Sequence, residues 1–211
     1  MKILVGSEKG GCGKSTTAVN ICAELTMLKK DVIIVDADRQ STSSNWINDR
    51  SETNLNTVHC AQKHDNIRET INDFDKRYDY VVIDAAGRDS KELRTGMTAT
   101  DILVIPFRPS QPDLDTLPKM QELISLARDF NKNLKAYGLL TMVPTNPVIK
   151  ERKEAEEYLE SLSGEKIQLL ETVLCDRKIY RDSMSNGHGV VELDNQKAKK
   201  EIKNLVQELI L

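Results

Sequence analysis

The sequence predicts an α/β fold: a doubly wound, mostly parallel sheet covered by helices on both faces. Two patterns lead to it. Short, continuously apolar and β-branched runs recur along the chain, as strands buried on both faces require. Longer segments with helical periodicity separate them, as parallel strands joined by crossover helices require. No repeat, low-complexity stretch or linker interrupts this alternation, so residues 1–211 are expected to form one domain.

The first strand is "KILVG" at 2–6, and "EKGGCGKST" follows it directly. The helix after that loop would turn Ala18, Ile21, Cys22, Leu25 and Leu28 to one face. The next strands are "DVIIVD" at 31–36, "YVVID" at 80–84, "DILVIP" at 101–106 and "AYGLLTM" at 136–142, with a weaker run, "IQLLETVL", at 167–174. Trp46, behind a serine-rich cap, is expected to anchor the helix after the second strand. A last helix would bury Ala198, Ile202, Leu205, Val206 and Leu209.

Composition narrows the function. Hydrophobic residues make up 39% and charged residues 30%, as in a soluble globular protein. The net charge of −3 confines any nucleic-acid contact to a local basic patch. The four cysteines, Cys12, Cys22, Cys60 and Cys175, form no C-x-x-C pair and have no histidine at ligand spacing. That argues against zinc, iron–sulfur and disulfide frameworks and for a reducing cytoplasm. His59, His64 and His188 show no partners and are assigned to surface or packing. No signal-peptide core and no run of about 18 apolar residues is visible, so no membrane span is expected.

The loop at 8–16 carries the chemistry. A phosphate loop is G-x-x-x-x-G-K-[ST] between a strand and a helix. Gly13-Lys14-Ser15 fits, but Glu8 stands where the first glycine belongs, and Lys9 follows it. Gly10, Gly11 and Gly13 would let backbone N–H groups, that of Cys12 among them, wrap a phosphate. The helix N-terminus at Lys14–Thr16 would add its dipole. Lys14 would neutralise the β- and γ-phosphates and Ser15 would ligate Mg²⁺. Cys12, at a helix N-terminus, is expected to be sensitive to alkylation. Lys9 supplies a second cation, for its own nucleotide or for one held by a partner subunit.

"KGGCGKST" resembles the deviant Walker A motif of the ParA/MinD family of P-loop ATPases. The resemblance implies that Lys9 reaches the nucleotide across an ATP-sandwich homodimer and acts in catalysis. "DADRQ" resembles the family's D-x-D-P-Q motif, which implies that Asp38 positions the attacking water. Asp36 would stand near Mg²⁺ behind it. Arg39 replaces the family proline, a departure that bears on the local turn. The other reading is that both aspartates are turn and N-cap residues of the next helix, which weighs more for Asp36 than for Asp38. "VVIDAAG" matches an apolar strand followed by D-x-x-G, so Asp84 would hold the Mg²⁺ water shell and Gly87 would begin a switch segment. The loops "VIPFRPSQPDLDTL" and "TMVPTNP" are expected to help form the adenine pocket.

The C-terminal part resembles small plasmid-type ParA proteins, through an arginine-bearing segment followed by Gly-x-x-V-x-E. Arg177, Lys178 and Arg181, with Lys197, Lys199, Lys200 and Lys203 on the final helix, would form a basic patch for non-specific double-stranded DNA. The same lysines also fit a plain solvated helix face. The first strand is expected to begin at Met1 or Lys2, and in this the chain resembles the small class of ParA without an N-terminal DNA-binding module. The resemblance implies a cytoplasmic, nucleoid-associated partitioning ATPase that uses ATP and Mg²⁺. A ParB/ParG-like centromere-binding partner would stimulate it. The rivals are MinD-like membrane positioning and ParA-like positioning of carboxysomes, chemoreceptor clusters or conjugation machinery. Metabolic ligases and iron–sulfur electron donors on the same loop are weaker, since the residues they need are missing.

Overall fold

The computed structural model describes residues 1–145 and 148–210. Its strands are β1 (Lys2–Val5), β2 (Val32–Ala37), β3 (His59–Gln62), β4 (Tyr80–Ala85), β5 (Ile102–Phe107), β6 (Lys135–Val143) and β7 (Gln168–Cys175). They form one seven-stranded sheet in the order β3-β2-β4-β1-β5-β6-β7. Every neighbouring pair is parallel. The helices are α1 (Lys14–Met27), α2 (Thr42–Ser51), α3 (Arg68–Phe74), α4 (Lys91–Met97), α5 (Gln111–Leu114), α6 (Leu117–Arg128), α7 (Val148–Ser161), α8 (Lys178–Met184) and α9 (Gln196–Ile210).

Strand alternation splits the core in two. On β1, Ile3 and Val5 face the layer of α1 and α9, while Leu4 faces the layer of α4 and α6. On β4, Val82 takes the first side, and Val81 and Ile83 the second. Both faces are dry, which is why the strands read as continuous apolar runs. The strand order reverses at β1, so the loop leaving β1 emerges at the switch point, where such sheets bind ligands.

Two elements differ from expectation. β3 was not foreseen: "HCAQ" lies at the sheet edge, bonds only to β2 and is largely exposed, so it shows no apolar run. α1 is buried nearly all round, Val19 and Ala23 included, because it is sandwiched between the sheet and α2 and α9. Leu28, expected on its buried face, sits past its end and is 47% exposed. The apolar face of α9 is buried as predicted, and so is Trp46. At the other edge, the Glu208 carboxylate accepts from the N–H groups of Glu171 (2.6 Å) and Thr172 (3.0 Å) on β7. That blunts an otherwise open strand edge. No helix among the described residues is long and apolar enough to cross a membrane.

Candidate functional site

The loop after β1 is held from inside. The Ser7 hydroxyl and Cys12 thiol lie 2.9 Å apart and donate to the Lys9 carbonyl at 3.2 and 3.3 Å. From β6, the Thr141 hydroxyl donates to the Cys12 carbonyl at 2.8 Å. Gly11 (φ 71°) and Gly13 (φ 87°) take the left-handed conformation that lets the chain curl and then enter α1. Cys12 is fully buried in these contacts, so the expected alkylation sensitivity does not hold: reagents have no access.

The Lys14 ammonium arches back and donates to the Lys9 carbonyl at 2.7 Å. Lys9 uses only its backbone here; among the described residues its ammonium makes no hydrogen bond or ion pair. Both lysines line a cleft of about 920 Å³ with Gly10, Ser15, Thr16 and Asp38. Gly87 closes one wall. A Cβ there would stand 2.9 Å from Lys14 Nζ and 3.3 Å from the Lys9 carbonyl oxygen. Arg88, at φ 86°, donates its N–H to the Glu8 carbonyl at 2.9 Å, tying the segment after β4 to the phosphate loop. Reading position 8 only as a lost glycine missed something: Glu8 Oε2 is buried with no hydrogen-bond partner at the edge of this cleft.

Asp36 and Asp84 stand in register on β2 and β4, both fully buried. Asp36 is spent on local structure. Its Oδ2 accepts from the Ser44 N–H (2.8 Å) and hydroxyl (2.7 Å), and its Oδ1 from the Asp38 N–H (3.2 Å). Asp36 therefore anchors the first turn of α2; like Asp84 beside it, it lies behind the cleft wall rather than lining it. Asp38 does line it, with one oxygen accepting from the Gln40 N–H at 3.0 Å. Arg39, in the proline position, is an exposed cation at the rim.

Asp84 Oδ2 accepts from the Ser43 hydroxyl at 2.6 Å, and Oδ1 has no partner. Among the described residues no three His, Cys, Asp or Glu side chains are grouped to hold a metal. A hydrated divalent cation fits the orphaned Oδ1 all the same, since its other ligands would be Ser15, water and phosphate. Burial pushes the Asp84 carboxyl up to about 7, against the pull of the Ser43 and Ser15 hydroxyls, with Asp36 and Asp38 adding to the rise. The folded chain thus keeps a proton that the unfolded chain loses, and stability falls as pH rises from about 4 to 7. Without metal, Asp84→Asn is expected to stabilise the protein at pH 7.5 by on the order of 4 kcal/mol, and by much less at pH 4. Urea melts at both pH values check this; equal pH slopes for the two proteins would refute it.

Behind the loop, a cavity of about 90 Å³ is lined by Gly13, Thr16, Met142, Leu174, Arg177 and Tyr180 among others. Among its lining residues are Arg177 and Arg181, which the sequence reading placed in the basic patch for DNA. The β5 loop, expected to shape an adenine pocket, lines neither space. It is pinned instead: buried Asp113 accepts from Arg108 N (3.2 Å) and Nη2 (2.9 Å) and from the Ser110 hydroxyl (3.0 Å). In "TMVPTNP", Asn146 and Pro147 lie outside the described residues.

The basic patch divides. Arg177 pairs with Glu201 (2.7 Å), Lys178 with Asp182 (2.6 Å) and Arg181 with Asp176 (2.7 Å). Each of these three faces a carboxylate, which offsets part of the positive charge the patch would present. Lys197, Lys199, Lys200 and Lys203 make no ion pair among the described residues, and all but Lys199 are well exposed.

The chain is similar to known proteins in sequence and in fold. The family model described as ATPase MipZ matches residues 1–128. The chain is 29% identical over 212 residues to the maintenance of carboxysome distribution protein A of Halothiobacillus neapolitanus, covering 99% of this chain and 95% of that protein. It is 27% identical to a protein ParA of Rhizobium radiobacter, covering 84% and 79%. Among solved structures, apo McdA of Cyanothece superposes with a TM-score of 0.78 at 15% identity, covering 99% and 98%. A putative plasmid partition protein of Borrelia burgdorferi bound to AMPPNP gives 0.77 at 19%, covering 99% and 98%.

Proposed function

The chain belongs to the ATPase MipZ family, a ParA/MinD-type group of P-loop ATPases, and from that premise we propose that it is a Mg²⁺-dependent ATP hydrolase whose ATP-bound homodimer carries a cargo over non-specific DNA. The observation that carries this reading is Lys9: an ammonium unpaired among the described residues, on a loop that already has a second lysine, Lys14, folded over it. Glycine-shaped backbone from Gly10 to Gly13 cradles the phosphates, with the α1 N-terminus behind it. Ser15 and Asp84 hold the cation, directly and through its water, and the cation neutralises charge on the transferred phosphoryl group. Asp38 orients water at the cleft mouth. Gly87, against Lys14 and Lys9, reports the terminal phosphate to the segment that follows. Lys9 of each protomer reaches the other's nucleotide, so the dimer assembles only with ATP.

DNA binding falls to the free lysines of α9, doubled in the dimer, and a centromere-binding partner of ParB/ParG type triggers hydrolysis and release at the nucleoid. The membrane alternative is disfavoured by α9, whose apolar face is buried against α1 and β7. Carboxysome positioning stands as the second reading of the cargo, supported by the Halothiobacillus relative.

The test is binding to random-sequence duplex DNA at two salt concentrations, with ATP·Mg²⁺ and with ADP. Binding is expected with ATP only, falling steeply with salt. Lys199, Lys200 and Lys203 changed together to alanine should weaken it on every sequence and lower the salt slope by about one unit per lost phosphate contact. ATP binding without DNA binding in any state would overturn the DNA-carrier reading.

A further inference from the structure

We propose that Ser43 is a positioning residue for Asp84, holding that carboxylate ready for a hydrated cation and tying metal loading to the first turn of α2. The inference rests on the ATPase reading above. The Ser43 hydroxyl donates to Asp84 Oδ2 at 2.6 Å, with both side chains fully buried. One oxygen is thereby occupied, and the other, Oδ1, makes no hydrogen bond within normal geometry, with the Ser15 hydroxyl the other group acting on the carboxyl. The hydroxyl thus fixes which oxygen is open and which way it points. Ser43 does not line the cleft, so it acts through Asp84.

The next residue repeats the arrangement on the neighbouring strand. Ser44 holds Asp36 through its N–H and hydroxyl, and Asp36 in turn accepts the Asp38 N–H at 3.2 Å. Consecutive serines in one helical turn therefore hold two carboxylates that stand in register on β2 and β4. A shift of Asp84 toward a cation pulls on the same turn that sets the Asp38 backbone. Partners that orient metal-binding groups in this way typically govern metal affinity by about 10–100-fold.

A capping serine with no such role would alter folding stability alone. The experiment is equilibrium binding of a fluorescent ATP analogue to the full chain, titrated with MgCl₂, with parallel binding in EDTA and circular dichroism to establish folding. Ser43→Ala is expected to raise the half-saturating Mg²⁺ concentration about 10-fold and to leave binding in EDTA unchanged. Ser43→Thr, which keeps the hydroxyl, is expected to restore the wild-type midpoint. If Ser43→Ala does not fold, Ser43→Cys, similar in size and a weaker donor, carries the same comparison. An unchanged Mg²⁺ midpoint in a folded variant overturns the proposal, as does an equal loss in EDTA. Absence of any Mg²⁺ dependence in the wild type sinks the ATPase reading and this inference together. A Mg²⁺-dependent wild type beside an unaffected variant sinks only the role of Ser43.

Discussion

Glu192→Ala is expected to cost about 3–5 kcal/mol of folding stability, a large part of the 5–15 kcal/mol typical of a domain. Arg50 and Glu192 are each only 3% exposed and meet through two bonds, Nη2 to Oε1 at 2.7 Å and Nη1 to Oε2 at 2.9 Å. Glu192 Oε2 also accepts from the Gly189 N–H at 2.8 Å. Arg50 donates to the carbonyls of Gly187 and Asn56 and stacks 5.0 Å from the Trp46 ring centre. Removing the carboxylate leaves a buried guanidinium without its counter-charge. Replacing both residues together with apolar ones of similar volume should cost far less. Gly187→Ala should approach the effect of Glu192→Ala by a separate route: its φ is 67°, and a Cβ would fall 2.2 Å from the Arg50 nitrogen. Urea denaturation of the two single variants and the double variant checks the argument. A loss below about 1 kcal/mol for Glu192→Ala, the size of a surface pair, would refute it.

This clamp shows where sequence reasoning reached and where it stopped. Gly187, Val190 and Glu192 were visible as a pattern, but the partner, Arg50, lies far away in the chain, and nothing in its neighbourhood marks it as buried. The strands β1, β2, β4 and β5 were legible because both faces of each are dry, whereas β7, half exposed, gave only a weaker run. β3 was not, because an edge strand with exposed ends carries no apolar signature. Glycine and lysine spacing gave the phosphate loop, whose backbone demands those residue types. The position of Asp84 at a strand end gave its place, but not the Ser43 hydroxyl that fixes it. For Asp36, spacing left two roles open; the bonds to Ser44 show the helix-capping one. The ion pairs near Arg177 were legible only in part. Lys178 and Asp182 sit at i and i+4, a spacing that pairs on a helix. The bond from Arg177 to Glu201 joins the start of α8 to α9 and has no local trace.

Lys9→Ala is expected to reduce ATP turnover by about 10³-fold or more, the scale on which a finger-type cation acts on phosphoryl transfer. It should also abolish ATP-driven dimerisation while one chain still binds ATP. The division follows from how the loop is built. The Lys9 carbonyl takes the bonds from Ser7, Cys12 and Lys14, and alanine keeps that carbonyl. The loop therefore survives the substitution, with Lys14 still over the phosphate position and Gly87 still against it. Only the free ammonium is lost. Lys14→Ala should behave in the opposite way: it removes the cation that closes the loop, so nucleotide affinity itself falls. Sedimentation of both variants with ATP and with ADP, beside turnover and nucleotide binding, separates the two lysines. A Lys9→Ala chain that dimerises with ATP as the wild type does would show that Lys9 serves only its own nucleotide, and the sandwich dimer would lose its main support. Monomeric Lys9→Ala with intact ATP binding would mean that the second lysine exists to reach across, so that hydrolysis waits on assembly.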